Sequence, residues 1–481
     1  MSDPTRAKYL ADPRFLRNHG LSRRDVLRLG AAGSGAMLLG GVPHHFAAPA
    51  AAQDTVTGGD IEVGVFYEEG PWFDHAKAIG DSLEKDYPGT KVKYTFANTA
   101  SDSARNLRWQ NGDPLDVDTG RWSSQAPILW DWVNNGFVQD LTSYLDQPLA
   151  SGDKWSDTFT SGAKSFAVDN RADSTTPGAW WGVPWEMVYM LVHYNVQIFE
   201  DMGVQPANTW SEFLTLCQTI NEKGKDKGIK PICVSGPTDV YCGHWWDRMI
   251  QRIVGREEVE KVAFGEGHLA DNPGFLTAAQ EIAKLPQNDW FMEGYEGADF
   301  TTAQAIYFQG KAAMIHMGSW LAAEMKDAIP PDYRLGVFDF PTYDGGTGDQ
   351  SAMFGTAQMW SVANPGKATS HQPNVPLAAE YLKRWTSVEN QTSASNDLRM
   401  IPSINGVPAP TGTTGMDKMV EKSATSDVII YYYGIHWDTA LWAAWYQPVQ
   451  ALFLKKIGPE EMVAQIDKNL DEYRQVKKAG G

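Results

Sequence analysis

Strand and helix signals alternate from residue 60 onward, and this alternation constrains the fold more than any other feature of the chain. Residues 60–68 read as a strand, and 71–87 as a helix with Phe73, Ala76, Ile79, Leu83 and Tyr87 on one face. Residues 91–96 and 115–119 read as further strands. Strands joined by crossover helices bury their apolar faces by stacking the helices on a mainly parallel sheet, so an α/β domain is expected. Thr209-Trp210-Ser211-Glu212 forms a capping box ahead of Phe213, Leu214, Cys217 and Ile220 at helical spacing. Residues 311–317 read as a short strand stopping at Gly318-Ser319-Trp320, and 343–348 as a Gly-rich loop. Pro459, Glu460 and Glu461 open a last helix with Met462, Ile466, Leu470 and Tyr473 on one stripe.

The first 52 residues read as targeting rather than fold. Ser22-Arg23-Arg24-Asp25-Val26-Leu27-Arg28 precedes a weakly apolar Ala/Gly stretch and then Ala50-Ala51-Ala52, which resembles a twin-arginine export signal cleaved after Ala52. Val26 stands where such signals more often carry Phe. No Cys lies near that site, so the expectation is a periplasmic or secreted protein without a lipid anchor. Of the 481 residues, 42% are apolar, enough for two or three domains with sizeable cores. A net charge of −18 repels a phosphate backbone and excludes nucleic acid as a partner. Beyond the N-terminus no apolar run approaches the roughly 20 residues that span a bilayer.

Motifs for catalysis are absent. The chain lacks a G-x-S-x-G elbow, an H-E-x-x-H pair, a G-x-G-x-x-G after its first strand and a Walker-type loop. Asp116-Val117-Asp118-Thr119-Gly120 lacks the other ligands of a calcium loop and reads as a strand end, and His193, His316 and His436 stand alone. No catalytic group, metal or cofactor is expected. Cys217, Cys233 and Cys242 leave two readings open: a bridge between Cys233 and Cys242, or three buried thiols.

Short segments then recur in a familiar order. They are Gly112-Asp113-Pro114-Leu115-Asp116-Val117, Val138-Gln139-Asp140-Leu141-Thr142-Ser143-Tyr144-Leu145, Trp181-Gly182-Val183-Pro184-Trp185-Glu186, Tyr194-Asn195 with Phe199, and the Thr209 helix start. Later come Phe308-Gln309-Gly310-Lys311-Ala312-Ala313-Met314, Gly318-Ser319-Trp320 and Phe340-Pro341-Thr342-Tyr343-Asp344-Gly345-Gly346. In this order they resemble the carbohydrate-type extracellular solute-binding proteins (family 1) of ABC importers. Asp118-Thr119-Gly120-Arg121-Trp122 departs from the usual continuation of the third strand.

The resemblance implies an α/β, two-lobed periplasmic-binding-protein-like fold with a hinge and an interlobe ligand cleft. It assigns 53–185 and 356–398 to lobe 1, and 186–355 and 399–481 to lobe 2. The chain would cross between lobes near 184–189, 354–356 and 397–403. It further implies a monomer, not an enzyme, that delivers a carbohydrate to ABC permease transmembrane subunits with a cytoplasmic ATPase.

A pyranose offers an apolar C–H face, which stacks on an aromatic plane, and a belt of hydroxyls, which needs fixed donors and acceptors. Among the 19 tryptophans, Trp320 matches the family's cleft tryptophan, and Trp185 with Glu186 follows; Trp72, Trp122, Trp245, Trp246 and Trp437 are further stacking candidates. Tyr67, Glu68, Arg121, Asp247 and Ser319 complete the polar ring. Trp130, Trp132, Trp210, Trp385 and Trp442 lie on helical patterns and read as packing. The ligand expected is a neutral mono- or oligosaccharide. The rivals are an exported glycan-active enzyme using Glu68 or Glu186, and a binder of a charged solute such as a glycerol phosphodiester.

Overall fold

A computed structural model describes residues 56–97, 102–120, 132–169, 176–263, 265, 267–425, 429–430 and 439–480. The export segment, Arg121, Trp122 and Trp437 lie outside the described residues.

The chain opens as the alternation demands. Strand β1 (Asp60–Val65) leads through α1 (Pro71–Asp86) to β2 (Lys91–Phe96), which pairs with β1 in parallel from Asp60↔Lys91 to Val65↔Phe96. Pro71 pre-sets the first turn of α1, whose buried face carries Trp72, Ala76, Ile79 and Leu83. Strand β3 (Val117–Gly120) joins the other side of β1, again parallel.

Two long strands then depart from the expected parallel sheet. Strand β4 (Val183–Asn195) is buried along its whole length. Its first half runs antiparallel to β8 (Met353–Val362), from Val183↔Trp360 to Tyr189↔Gly355. Its second half runs antiparallel to β6 (Ala312–Gly318) and β7 (Leu335–Phe338), while β5 (Lys230–Cys233) lies parallel to β6. The sheet order is therefore β2-β1-β3-β8-β4-β6-β5, mixed rather than mainly parallel, because β4 and β8 belong to both halves of the molecule.

The helices named below are α2 (Trp210–Gly224), α3 (Asp239–Ile253), α4 (Pro273–Gln287), α5 (Phe300–Phe308), α6 (Val375–Trp385), α7 (Val388–Leu398), α8 (Thr439–Phe453) and α9 (Pro459–Gly480). The capping box at α2 is present with both of its reciprocal hydrogen bonds, Thr209 accepting from the Glu212 amide and Glu212 from that of Thr209. Among the described residues no helix is long and apolar enough to cross a membrane.

Two hydrophobic cores organise these elements. The first holds Val63, Trp109, Trp185, Tyr189, Trp360 and Trp385, and the second Val192, Phe213, Trp246, Ile282, Met314 and Trp445. Strand β4 passes from one to the other between Leu191 and Val192. One expected assignment needs correction. Residues 399–481 were to join the second half as a block, yet Met400, Ile401, Ile404, Val407, Met416 and Met419 are buried in the first core. Ile401 accepts the Met187 amide at 2.9 Å, so the segment 397–403 packs along β4 instead of leaving it. The last passage between the cores follows Met419, and α8 and α9 then close the second.

The three cysteines are free and buried. Cys233 Sγ lies 3.0 Å from the Ala303 carbonyl and Cys242 Sγ 3.7 Å from that of Ser235, so each thiol has its own surroundings. The reading of three buried thiols holds.

Candidate functional site

A cavity of about 400 Å³ lies where β4 and β8 pair, between the two cores. The end of β1 and the start of α1 contribute Phe66, Tyr67 and Trp72, and the segment after α7 contributes Met400. The crossing strands supply Trp185, Glu186, Val188 and Met190 from β4, and Gly355, Thr356 and Gln358 from β8. The second half closes the space with Tyr241 and His244 of α3, Phe300 of α5, Trp320 and Glu324 after β6, and Trp442 of α8.

Neighbours on a strand point to opposite faces, so Trp185 and Glu186 should not share a cavity. They do so because the pairing register of β4 on β8 slips between Pro184 and Glu186. Such a bulge adds a residue to one strand and re-aims the side chains around it. Its free carbonyls are satisfied from the segment packed along β4: Ser403 Oγ donates to Pro184 O at 2.8 Å and Gln391 Nε2 to Trp185 O at 2.8 Å.

Trp320 owes its place to glycine. A Cβ built on Gly318 would lie 2.0 Å from the Trp320 ring, so the indole folds back over a position that only glycine leaves open. The Ser319 amide donates to Tyr189 O at 2.8 Å and its hydroxyl accepts from the Tyr189 amide at 3.3 Å, which pins the turn to β4. Trp320 stays partly exposed on the cavity wall. We expect Gly318→Ala to push the indole aside and to weaken ligand binding about tenfold, with a smaller change in melting temperature. Titration calorimetry beside thermal unfolding checks this, and unchanged affinity would separate the indole's position from binding.

The aromatic walls differ in rigidity. Trp185 and Trp72 are 3% and 7% exposed and belong to a nest in which Trp185 stacks on Trp360 at 5.2 Å and Trp72 meets Trp385 at 5.4 Å. Opposite them, Tyr241 stacks on Phe300 at 4.6 Å and Trp442 donates its Nε1 to Asp239 at 3.2 Å. Glu186 is 8% exposed, and no hydrogen bond or ion pair reaches its carboxyl among the described residues. Burial alone pushes it up to about 8, and burial pushes the His244 imidazole down to about 3, so both are neutral at pH 7.

Of the residues singled out from sequence, Trp320, Trp185, Glu186, Trp72 and Tyr67 meet in this cavity. Glu68 lies beside it on a shallow hollow shared with Phe66, Tyr67 and Phe96. Trp245, Trp246, Asp247 and Ser319 do not reach it. Trp245 packs on His316 at 4.9 Å, Trp246 is fully buried beside Trp445, Asp247 accepts from Trp445 Nε1 and Tyr446 Oη, and Ser319 holds the turn. The trio 245–247 lies inside α3 and not at a strand end, so those side chains are enclosed by the second core.

Sequence reasoning missed Tyr241, His244, Phe300, Glu324, Gln358 and Trp442. Trp442 lies on a helical pattern that reads as packing. Its neighbour in space, Asp239, is over 200 positions away in sequence, so no local signal marks it.

The family profile described as bacterial extracellular solute-binding protein matches residues 71–392. An uncharacterized ABC transporter extracellular-binding protein of Pyrococcus horikoshii is 23% identical, over 56% of this chain and 60% of its own length. The chain thus spans less than two thirds of that relative. The diacetylchitobiose binding protein NgcE of Streptomyces coelicolor is 22% identical over 79% of this chain and 78% of its own. Among solved structures, a chitin oligosaccharide binding protein superposes with a TM-score of 0.67 at 20% identity, covering 86% of this chain and 98% of that one. That likeness establishes the two-lobed fold. With the profile matching well over half of its residues, the chain belongs to the bacterial extracellular solute-binding protein family.

Proposed function

We propose that this chain is the extracytoplasmic substrate-binding component of an ABC sugar importer. It captures a mono- or oligosaccharide by aromatic stacking and closure of its two halves. The observation that carries this reading is the cavity between the cores, where indoles from both halves, Trp185 and Trp320, line one space about the size of a sugar. The relatives that bind diacetylchitobiose and chitin oligosaccharide support it. The absence of lysine and arginine from the lining, among the described residues, favours a ligand without an anionic group over a glycerol phosphodiester.

The partners in this reading are the transmembrane subunits of a permease with its cytoplasmic ATPase, served by a monomer. A melting-temperature screen against a glycan panel, followed by calorimetry and product analysis, tests it. The expected result is stabilisation by a saccharide that is recovered intact. Turnover of the glycan, or no stabilisation by any member, would overturn it.

Delivery to the outside rests on the N-terminal segment. Paired guanidiniums are its specific part, so replacing Arg23 and Arg24 together by Lys is expected to hold the protein in the cytoplasm. Cell fractionation reads this directly, and unchanged export would remove the twin-arginine assignment.

A further inference from the structure

Among the described residues the cavity is lined by two carboxyl groups and by no lysine or arginine. Glu186 sits on β4 and is buried, whereas Glu324, after β6, is exposed as a residue although burial around its carboxyl raises it above the usual carboxylate range and Gln304 Nε2 donates to it at 3.0 Å. Tyr241, Phe300, Trp320 and Trp442, each partly exposed, line the same cavity. Aromatic faces carry negative charge density and attract a cation, and carboxylates do so more strongly. A neutral sugar uses a buried carboxyl only as one hydrogen-bonding group among several. A buried carboxyl with no partner, inside an aromatic wall and on a chain of net charge −18, suits a positive one better.

We propose that the cavity takes a saccharide bearing a protonated amino group, with the ammonium seated between Glu186 and the aromatic walls and Glu324 steering it at the mouth. The proposal rests on the sugar-binding reading above and replaces the neutral ligand expected from sequence.

The groups around Glu186 define how binding responds to pH. Tyr67, Tyr241, His244 and Glu324 line the same cavity. On β4 itself lies His193, on its partner β6 lies His316, and on the segments packed along β4 lie Asp397, Arg399 and Lys164, the last paired with Asp157 at 3.7 Å. None of them displaces the Glu186 carboxyl, which burial alone raises to about 8. In the free protein at pH 6 to 7 this carboxyl is therefore protonated. An arriving ammonium stabilises the carboxylate, so the proton leaves Glu186 for solvent as the ligand binds. The sign follows. Binding of the amino saccharide strengthens from pH 6 toward 7.5, by up to about tenfold per unit, whereas a neutral sugar that accepts a hydrogen bond from protonated Glu186 loses affinity as pH rises through 8.

The test uses matched pairs: glucosamine and glucose, galactosamine and galactose, and the β-1,4 disaccharides of glucosamine and of glucose. Calorimetry at pH 7 in two buffers of different ionisation enthalpy gives both affinity and proton release. The expected result is an amino member bound about tenfold more tightly than its hydroxy partner, with release of close to one proton. Glu186→Gln, checked for an unchanged melting temperature, should bring the affinity ratio near one and abolish the release. A hydroxy member bound as tightly as its amino partner, or binding without proton release, overturns the amine assignment and leaves the sugar-binding reading standing. Failure of every saccharide in the pairs and in the wider glycan panel overturns both.

Discussion

Trp320→Ala is expected to lower saccharide affinity about thirtyfold or more, the cost of removing a central aromatic anchor. The geometry behind this is local. The indole lies over Gly318, on a turn that Ser319 pins to Tyr189, and presents its surface to the cavity, while Trp72, Trp185, Trp245 and Trp246 are buried. Truncation removes a stacking platform and leaves Glu186, Thr356 and Gln358 where they are. Trp210→Ala is the matching control. Trp210 is 3% exposed, stacks on Phe213 at 5.2 Å and on Phe340 at 5.7 Å, and donates its Nε1 to Glu281 at 2.8 Å. Its loss is expected to cost about 3–5 kcal/mol of stability with near-native affinity in the folded fraction. Calorimetry and denaturant unfolding of both variants give the comparison. A destabilised Trp320→Ala protein with native affinity would return that indole to the core.

What could be read from the sequence follows the range of the interactions involved. The α2 start was legible because a capping box is written in four consecutive residues, and both of its hydrogen bonds are present. Strand β2 was legible because its bounds fall between clear turn signals. The cavity was legible through Trp320, Trp185, Glu186, Tyr67 and Trp72, residues beside a strand, a crossing segment or a helix start. That Trp185 and Glu186 both reach it depends on a bulge held by Gln391 and Ser403, some 200 positions away, and strand periodicity argues against it. The same distance problem misplaced residues 400–419. Their apolar residues are compatible with either core, and only the pairing of Ile401 with Met187 decides which one they fill.

Trp246→Ala is expected to cost about 3–5 kcal/mol of stability, with saccharide affinity of the folded protein within about twofold of native. In sequence, Trp245-Trp246-Asp247 reads as two stacking indoles beside a carboxylate of the polar ring. In the fold it lies within α3, where every residue from Cys242 to Ile253 is buried, so the helix is enclosed on all sides. Trp246 is fully buried, with Trp445 of α8 at 6.3 Å and Phe275 of α4 at 6.4 Å. The indole therefore joins three helices, and alanine would leave a cavity that rigid helix backbones cannot collapse to fill. Asp247 beside it has a related structural duty. It accepts from Tyr446 Oη at 2.6 Å and Trp445 Nε1 at 3.2 Å, and so fixes α8, which carries Trp442 to the ligand cavity. Damage at Trp246 should therefore appear first in unfolding, measured by the denaturant midpoint of the ligand-free protein. An affinity loss as large as that of Trp320→Ala, at unchanged stability, would instead put Trp246 at the ligand.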